Sequence, residues 1–254
     1  KGVGFLVSSR VTNEELYLLS RIAGLFKEAR VASPAFYHTG KVAAAFEKMG
    51  IGFGGGQGLS DCDLIIVAGA DLLVNNHLLA NKVREAVIAK GARVIVIDPL
   101  PASLSRIADA HLQPVPGQDA LVFNALSRRI VKDGRYVREA GRLGGFTEFK
   151  NALLSDSAAA PGGVDEALLD RAGKLVSEAE RIAVIFGSGI SDREESLNAL
   201  LNFCLLKGLP GQGAIIPTSL QANARGAVTL LGAATSPEDV RSEEHTSELQ
   251  SRHN

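Results

Sequence analysis

The chain has 254 residues, 46% of them hydrophobic and 22% charged, which is typical of a globular protein with one large or two small cores. Lysine and arginine (27) balance aspartate and glutamate (28) without a basic cluster, so nucleic acid and anionic membrane surfaces are not expected partners. No apolar run is long enough to span a membrane. The two cysteines, Cys62 and Cys204, fit no metal-ligand spacing, and we expect them to be reduced core thiols.

Short β-branched runs alternate with amphipathic helices from the start of the chain. Val3–Val7 is the first predicted strand. Thr12 and Glu15 then form a T-x-x-E capping box, which predicts the start of a helix. The residues of that helix expected to face the core are Leu16, Leu19, Ile22, Ala23 and Phe26.

The central part of the chain predicts a β–α–β crossover. Leu64–Ala68 is a strand, Asp71 or a neighbour caps the following helix, and Gly91 ends it before the strand Val94–Ile97. The core positions expected on that helix are Leu72, Leu79, Val83, Ala86 and Val87. Farther on, the same alternation predicts a strand at Ile182–Phe186, a helix near Glu194–Lys207 and a strand at Ala214–Ile216.

Alternating strands and helices of this kind predict an α/β fold with two doubly wound, parallel-sheet lobes of Rossmann-like type, one inserted in the other. We expect residues 1–58 and 165–240 to form the first lobe, residues 59–154 the inserted lobe, and residues 155–164 a linker. The small-residue stretch "SDSAAAPGG" marks that linker.

A second glycine-rich stretch, "GFGGGQGLSD" at Gly52–Asp61, has two interpretations. It could hold a phosphate, or it could be a hinge or loop. Because no Gly-Lys-Ser/Thr follows it and no clear strand precedes it, the loop interpretation is preferred.

Both ends of the chain have unusual features. The chain opens at Lys1 without a methionine and enters a strand pattern by Val3, so we expect a fragment of a longer protein. Residues Arg241–Asn254, "RSEEHTSELQSRHN", read like a translated sequencing adapter. We therefore expect this tail to be foreign and disordered, with a natural polar tail as the alternative.

In an open parallel sheet, ligands bind where the strands end at their carboxyl edge. The segments at such ends combine hydroxyls, carboxylates and glycines, which suit a ligand with phosphates and hydrogen-bond donors. Each has an ordinary structural alternative: Ser9 and Arg10 as a helix cap, Asp98 as an Asp-Pro turn, and Asn75 with His77 as a solvated helix start. The Gly187–Gly189 pair permits close backbone approach but is a weak signal by itself.

The order of several segments resembles the central region of the molybdopterin oxidoreductase family. These segments are "SSRVTNEELYLL", "DLIIVAGADLLVNNHLLANKVREAVIAKGARVIVIDP", "ADAHLQPVPGQDALVFNALSRRIV", "AVIFGSGI" and "QANARGAVTLLG". The family includes formate dehydrogenases, nitrate reductases and the large iron–sulfur subunit of NADH-quinone oxidoreductase. The resemblance runs from Gly2 to about Leu231.

The resemblance implies two α/β lobes that hold molybdopterin guanine dinucleotide by its phosphates and guanosine ends. It places cofactor contacts, or residues that shape the pocket, at Ser9, Arg10, Asn75, His77, Asp98, Gly117, Asp119, Gly187, Gly189 and Asn223. It implies iron–sulfur clusters only in a part of the longer protein that precedes this chain. No metal ligand is assigned within the chain.

Two departures from the family pattern affect the expected chemistry. In formate-dehydrogenase-like members a cysteine or selenocysteine ligand precedes a histidine, whereas this chain has Tyr37 before His38. A phenol substitutes poorly for a soft thiolate. Ser33 would supply an oxygen ligand if the alignment shifts, but a loop role is preferred for it. Leu100 follows Asp-Pro where members commonly have arginine, which removes one expected phosphate or guanosine contact.

Three functional hypotheses follow, and the first is preferred because of Tyr37 and Leu100. It is a structural part of an NADH-quinone-oxidoreductase-like large subunit that scaffolds iron–sulfur electron transfer. This fragment is then not catalytic by itself, and the pterin cofactor is either retained or lost. The second is a catalytic molybdenum enzyme of formate-dehydrogenase type. The third is an unrelated nucleotide-binding module, such as the central domain of thiamine-diphosphate enzymes. For the first two we expect partner subunits of a redox complex, and a cytoplasmic location with membrane association only through those partners.

Overall fold

A computed structural model describes residues 3–155, 161–212 and 214–231. The chain divides into two compact units, which we call unit 1 (Lys1–Ala45 and Ser219–Asn254) and unit 2 (Phe46–Thr218). Unit 2 is inserted, in chain order, between the two parts of unit 1.

The secondary structure alternates in the predicted manner. The strands are β1 (Gly4–Leu6), β2 (Arg30–Ala32), β3 (Leu64–Ala68), β4 (Arg93–Ile97), β5 (Ala110–Leu112), β6 (Ile182–Phe186) and β7 (Ile215–Pro217). The α-helices are α1 (Asn13–Ala23), α2 (Thr39–Met49), α3 (Leu72–Asn75), α4 (His77–Lys90), α5 (Asp119–Lys132), α6 (Phe146–Leu154), α7 (Glu166–Glu178), α8 (Ser188–Ser191), α9 (Glu194–Leu206) and α10 (Ala224–Leu231). Short 3₁₀ helices occur at Pro34–Tyr37, Leu59–Asp61, Ser103–Ile107, Ala140–Arg142 and Leu209–Gln212.

Unit 1 contains a two-stranded parallel sheet, in which Gly4 of β1 pairs with Arg30 of β2. The predicted capping box begins α1: Glu15 N donates to Thr12 Oγ1 (3.2 Å) and Thr12 N donates to the Glu15 carboxylate (2.7 Å). The core of this unit is small, and it gathers Leu16, Ala35, Phe36, Ala224, Ala227 and Val228.

Two of the expected core positions of α1 are exposed. Ile22 and Phe26 are 48% and 45% accessible, whereas Leu16 and Ala23 are buried. Because α1 ends at Ala23, Phe26 no longer follows the helical period, and its ring lies beside that of Phe5 instead (6.0 Å between centroids).

Unit 2 is built on a five-stranded, fully parallel sheet with the order β5-β4-β3-β6-β7. Leu64 of β3 pairs with Arg93 of β4 on one side and with Ile182 of β6 on the other. The central strands β3 and β6 are buried along their whole length, as expected of strands covered by helices on both faces. The strand order reverses between β3 and β6, which makes the carboxyl ends of these two strands the switch point of the sheet.

The helix predicted between β3 and β4 is divided in two. Asp71 caps α3 by accepting from Leu73 N (3.2 Å), and Asn76 caps α4 by accepting from Leu79 N (3.2 Å). Asn76 has φ −155° and ψ 75°, outside the helical region, so the first helix stops there. Gly91 ends α4 in the left-handed conformation, as predicted.

The boundary between the units differs from the expected lobe boundary. Because β6 pairs along β3 and β7 pairs along β6, residues 165–218 lie in unit 2 and not in the first lobe. In the expected linker, Gly162 N donates to Gln118 Oε1 (2.6 Å), and Gly162 O accepts from Val115 N (2.9 Å). Unit 2 therefore extends beyond the expected inserted lobe, residues 59–154, at both ends.

The glycine-rich stretch before β3 lies in unit 2 as a loop. Gly54 N donates to the carbonyl oxygen of Ile215 (3.1 Å), and Lys82 Nζ donates to that of Gly56 (3.4 Å). The tail Arg241–Asn254 falls outside the described residues. Within the described part of the chain, no helix is long and apolar enough to cross a membrane.

Candidate functional site

The carboxyl edge of the unit 2 sheet gathers five of the predicted site residues. Asp98 directly follows β4, Gly117 and Asp119 follow β5, and Gly187 and Gly189 follow β6. Because all five strands are parallel, these positions lie at one edge of the sheet. The strand ends predict this place for Asp98, Gly187 and Gly189, whereas Gly117 and Asp119 were implied by the family resemblance only.

The glycines at the switch point bring the loops after β3 and β6 into backbone contact. A Cβ on Gly187 would lie 2.5 Å from the carbonyl oxygen of Gly69, and one on Gly189 would lie 2.9 Å from Gly69 Cα. Gly189 N donates to Gly69 O (3.2 Å). Close packing of these two loops therefore explains both glycines without any ligand.

Asp98 combines a turn with a partly shielded carboxylate. Its Oδ1 accepts from Leu100 N (2.9 Å), as the Asp-Pro turn predicts, and its carbonyl oxygen lies 3.1 Å from His111 Nε2. Burial raises the pKa of the Asp98 carboxyl; the bond from Leu100 and the proximity of His111 oppose that rise, and Asp71 adds to it.

Asp119 is the first residue of α5 and is only 5% exposed. Burial raises the pKa of its carboxyl, its own main-chain N–H lowers it, the charge of Asp98 raises it, and Arg193 lowers it. The two carboxylates and the arginine thus act on one another across the loops after β4, β5 and β6.

Arg193 was missed by the sequence analysis. It is exposed and stands between α8 and α9, and its guanidinium lies against Gly117: a Cβ there would be 2.9 Å from Cζ and 3.0 and 3.1 Å from the two Nη atoms. Gly117 has φ +88°, a left-handed conformation that favours glycine. The available signal was a charged residue four positions after the G-x-G at the end of a strand.

Asn75 and His77 lie at the junction of α3 and α4 and are exposed. The hydrogen bonds that cap α3 and α4 are made by their neighbours Asp71 and Asn76. Asp71 also accepts from the hydroxyl of Ser103 (2.7 Å), which ties the β3 loop to the 3₁₀ helix after β4. Among the described residues, no hydrogen bond or ion pair joins Asn75 or His77 to Asp98 or Asp119, so their cofactor role stays a prediction.

In unit 1, two of the predicted site residues, Ser9 and Asn223, lie together. The buried Ser9 hydroxyl donates to Gln221 Oε1, and Asn223 N donates to Ser9 O (3.0 Å). Asn223 Nδ2 donates to the carbonyl oxygen of Val11 (2.8 Å) and lies 3.0 Å from Asn13 Oδ1. Gln221 and Asn13 were missed, because polar residues next to turns carry no distinctive spacing. Arg10 is exposed beside this cluster.

The segment expected near a metal holds no ligand cluster. Ser33 is buried and caps the 3₁₀ helix by accepting from Ala35 N (3.4 Å), whereas Tyr37, the last residue of that helix, is 40% exposed and is followed by His38. In the described ranges no group of three or more His, Cys, Asp or Glu side chains could hold a metal ion. Cys62 and Cys204 are both free thiols, of which only Cys204 is fully buried.

A sequence model of molybdopterin oxidoreductases matches residues 1–248, which is nearly the entire chain. The chain belongs to the molybdopterin oxidoreductase family. The predicted resemblance is thereby confirmed at the level of the family, and the matched range extends into the tail that was expected to be foreign.

Curated relatives carry names of oxidoreductase subunits. The F420-dependent formate dehydrogenase subunit alpha of Methanocaldococcus jannaschii is 27% identical over 243 residues, covering 89% of this chain and 35% of the relative. The NADPH-Fe(3+) oxidoreductase subunit alpha of Geobacter sulfurreducens is 28% identical over 239 residues, covering 86% of this chain and 28% of the relative. The chain therefore spans about a third or less of the relatives that it matches.

Solved structures support the same fold. Acetylene hydratase from Pelobacter acetylenicus superposes with a TM-score of 0.67 at 17% identity, covering 83% of this chain and 30% of that one. The formyltransferase/hydrolase complex from Methylorubrum extorquens gives a TM-score of 0.56 at 13% identity, with 92% and 58% covered. At such identities the likeness concerns the fold alone.

Proposed function

We propose that this chain is the cofactor-binding part of the large subunit of a molybdopterin-dependent electron-transfer enzyme, and that unit 2 holds the guanosine end of molybdopterin guanine dinucleotide. The observation that carries the proposal is the pair of partly shielded carboxylates, Asp98 and Asp119, at the carboxyl edge of the sheet. The family match and the alpha-subunit relatives support it.

The chemistry of this edge fits a guanosine. The guanine base presents N–H donors and the ribose presents hydroxyls, and carboxylate oxygens are acceptors for both kinds of group. Both carboxylates already bind nearby main-chain N–H groups, which fixes their orientation, and each keeps further acceptor capacity. A shielded carboxylate binds such donors more strongly than an exposed one, because water competes less.

When bound, the molybdopterin would supply redox chemistry at its metal. The residues of this chain would bind and orient the nucleotide end and exclude water from it. With two cysteines in 254 residues, this chain cannot by itself provide four thiolate ligands to an iron–sulfur cluster. Electron transfer by the proposed enzyme would therefore use clusters elsewhere in the longer protein and in partner subunits.

A second candidate is the NADH-quinone-oxidoreductase-like role, in which the same fold serves as a scaffold without molybdenum. Two observations favour it. Tyr37 stands where the formate-dehydrogenase pattern has a soft metal ligand, and Leu100, which is 71% exposed, offers no charge after the Asp-Pro turn. Under this proposal the site residues keep a structural role only.

The two candidates differ in what the purified full-length protein contains. Molybdenum would be measured by elemental analysis, and the GMP released by acid hydrolysis of the cofactor by chromatography. Cofactor binding predicts both in comparable molar amounts; protein that is purified from a cofactor-producing host with neither would contradict the first proposal and favour the scaffold.

Substitution tests the site itself. We expect Asp119→Asn to lower the retained GMP by at least about tenfold, since hydrogen bonds to a charged group each contribute about 1.5–3 kcal/mol. Asp61→Asn is the matched control, because Asp61 is exposed at the opposite, amino end of β3. Equal GMP retention in the two variants, with unchanged circular dichroism, would argue that Asp119 does not contact the nucleotide.

A further inference from the structure

The loop between β6 and α9 directs one cation to the carboxyl edge of unit 2. β6 ends at Phe186, α8 forms one turn at Ser188–Ser191, and Arg193 then adopts an extended backbone (φ −110°, ψ 121°) before α9. Arg193 N donates to Ile190 O (3.4 Å), which fixes the start of the side chain. The extended backbone takes Arg193 out of both helices and toward the loop after β5.

The absence of a side chain at Gly117 makes room for the guanidinium. The position of a Cβ on Gly117 is nearly equidistant from Cζ, Nη1 and Nη2 of Arg193, at 2.9, 3.0 and 3.1 Å. Near-equal distances mean that the planar group packs with its face on the glycine, so that its N–H edges point away from this contact. Any side chain at position 117 would displace it.

The Arg193 guanidinium is attracted by Asp119 but forms no ion pair among the described residues. Asp119 and Arg193 interact electrostatically. Among the described residues, however, Arg193 forms no ion pair, that is, no carboxylate oxygen lies within 4 Å of its side-chain nitrogens. An exposed guanidinium with free N–H edges beside two carboxylates provides what a nucleotide needs: acceptors for the nucleoside and a donor fork for a phosphate.

We propose that Arg193 binds a phosphate of the guanine nucleotide held by unit 2, with Gly117 as the residue that positions it. The inference rests on the proposed nucleotide site and adds a contact on its phosphate side. This role of Arg193 also explains why a glycine in the left-handed conformation, Gly117, precedes Asp119. The flat guanidinium occupies the space that a side chain at position 117 would fill.

The test compares GDP with guanosine as probes of the full-length protein, produced in a host that does not make the cofactor. Affinity is measured by calorimetry for the wild type, Arg193→Ala, Arg193→Lys and Gly117→Ala. We expect Arg193→Ala to weaken GDP binding at least about tenfold and guanosine binding less than about twofold, because only GDP carries phosphate. Arg193→Lys should recover part of the GDP affinity, and Gly117→Ala should resemble Arg193→Ala.

Arg84→Ala is the control for loss of one positive charge, since Arg84 is exposed in the middle of α4. Arg193→Ala that binds GDP as the wild type does, or that weakens GDP and guanosine equally, overturns the role of Arg193. A wild type that binds neither probe overturns the nucleotide site itself, and the two failures are thereby distinguished. Thermal melting of each variant separates loss of binding from loss of folding.

Discussion

Polar residues at strand ends have different surroundings in the two units. In unit 1, Ser9 and Asn223 are bound to other parts of the same unit, Ser9 to Gln221 and Asn223 to Val11 and Asn13. In unit 2, the Asp98 carboxylate accepts from Leu100 N within its own turn, and its main chain contacts His111 and Leu112 of β5. Arg193 lies on a glycine without an ion-pair partner within the described residues. A polar residue at a strand end therefore indicates a ligand only when its hydrogen-bond donors and acceptors are not already paired with other residues of the protein.

The same distinction applies to the glycines of unit 2. Gly117 faces a side chain, whose position it permits, whereas Gly187 faces the backbone of the loop after β3. A side chain can move and a backbone carbonyl cannot, so substitution at the two glycines should have different consequences. Gly117→Ala should lose binding, together with the stability cost of a side chain in the left-handed conformation, whereas Gly187→Ala should lose stability through the clash with the backbone.

The largest expected effect is that of Gly187→Ala. Its Cβ would lie 2.5 Å from Gly69 O and 2.9 Å from Ala70 Cβ, so the two loops must separate at the switch point of the sheet. We expect a loss of about 3 kcal/mol in the free energy of unfolding, as for overpacking in a rigid core, measured by urea unfolding. Gly52→Ala is the control, because no atom lies within 4 Å of the added Cβ; equal stability of these two variants would contradict the packing role.

A smaller loss is expected for Asn223→Ala in unit 1. The substitution leaves the carbonyl oxygen of Val11 and the side chain of Asn13 without the Nδ2 donor. We expect a loss of about 1–2 kcal/mol in the free energy of unfolding and no change in guanosine affinity. Asn75→Ala, at an exposed position, should change stability by less than about 0.5 kcal/mol. Weaker nucleotide binding at unchanged stability would instead make Asn223 a ligand residue and break the contrast between the units.

Much of the fold is predictable from the sequence because its signals are local. The buried runs Leu64–Ala68 and Ile182–Phe186 are predicted to the residue, since each is a short apolar run rich in isoleucine and valine, which favours a strand over a helix. The capping box of α1 is predicted because its two residues satisfy each other. The break at Asn76 is missed, since the apolar period continues through it.

What could not be predicted is non-local. No pattern in the chain states that β6 pairs with β3, so the predicted return to the first lobe at residue 165 differs from the division at Ser219. Asp98 is predicted because it follows a strand, whereas Asp119 is predicted only through the family resemblance, since β5 is not predicted. Arg193 is missed, because its guanidinium lies on a glycine 76 positions away in the chain (193 minus 117). Gly187 and Gly189 stay predicted cofactor positions, although their close contacts with Gly69 account for both glycines without a ligand.

The smallest expected effect concerns the pH dependence of stability. Burial raises the pKa of Asp119 in the folded protein, so the ionised carboxyl costs more in the folded than in the unfolded state. Its contribution to stability is full below about pH 4, where both states are protonated, and is lost as the pH rises through the raised pKa. The amide of the Asp119→Asn variant cannot ionise, so this variant does not lose stability as the pH rises through the raised pKa.

We therefore expect the free energy of unfolding of Asp119→Asn, relative to the wild type, to increase with pH over that window, as followed by urea unfolding at a series of pH values. Asp109 acts in the opposite direction: burial would raise the pKa of its carboxyl, but the bonds from Arg93 and Val94 lower it, so its contribution is lost as the pH falls. Because both proteins contain Asp109, its contribution cancels in the difference. A stability difference between the two proteins that stays constant with pH would mean that the Asp119 carboxyl is as well solvated in the folded chain as in the unfolded one. The contrast between shielded polar groups at the sheet edge of unit 2 and hydrogen-bonded polar groups in unit 1 would then rest on Asp98 and Arg193 alone.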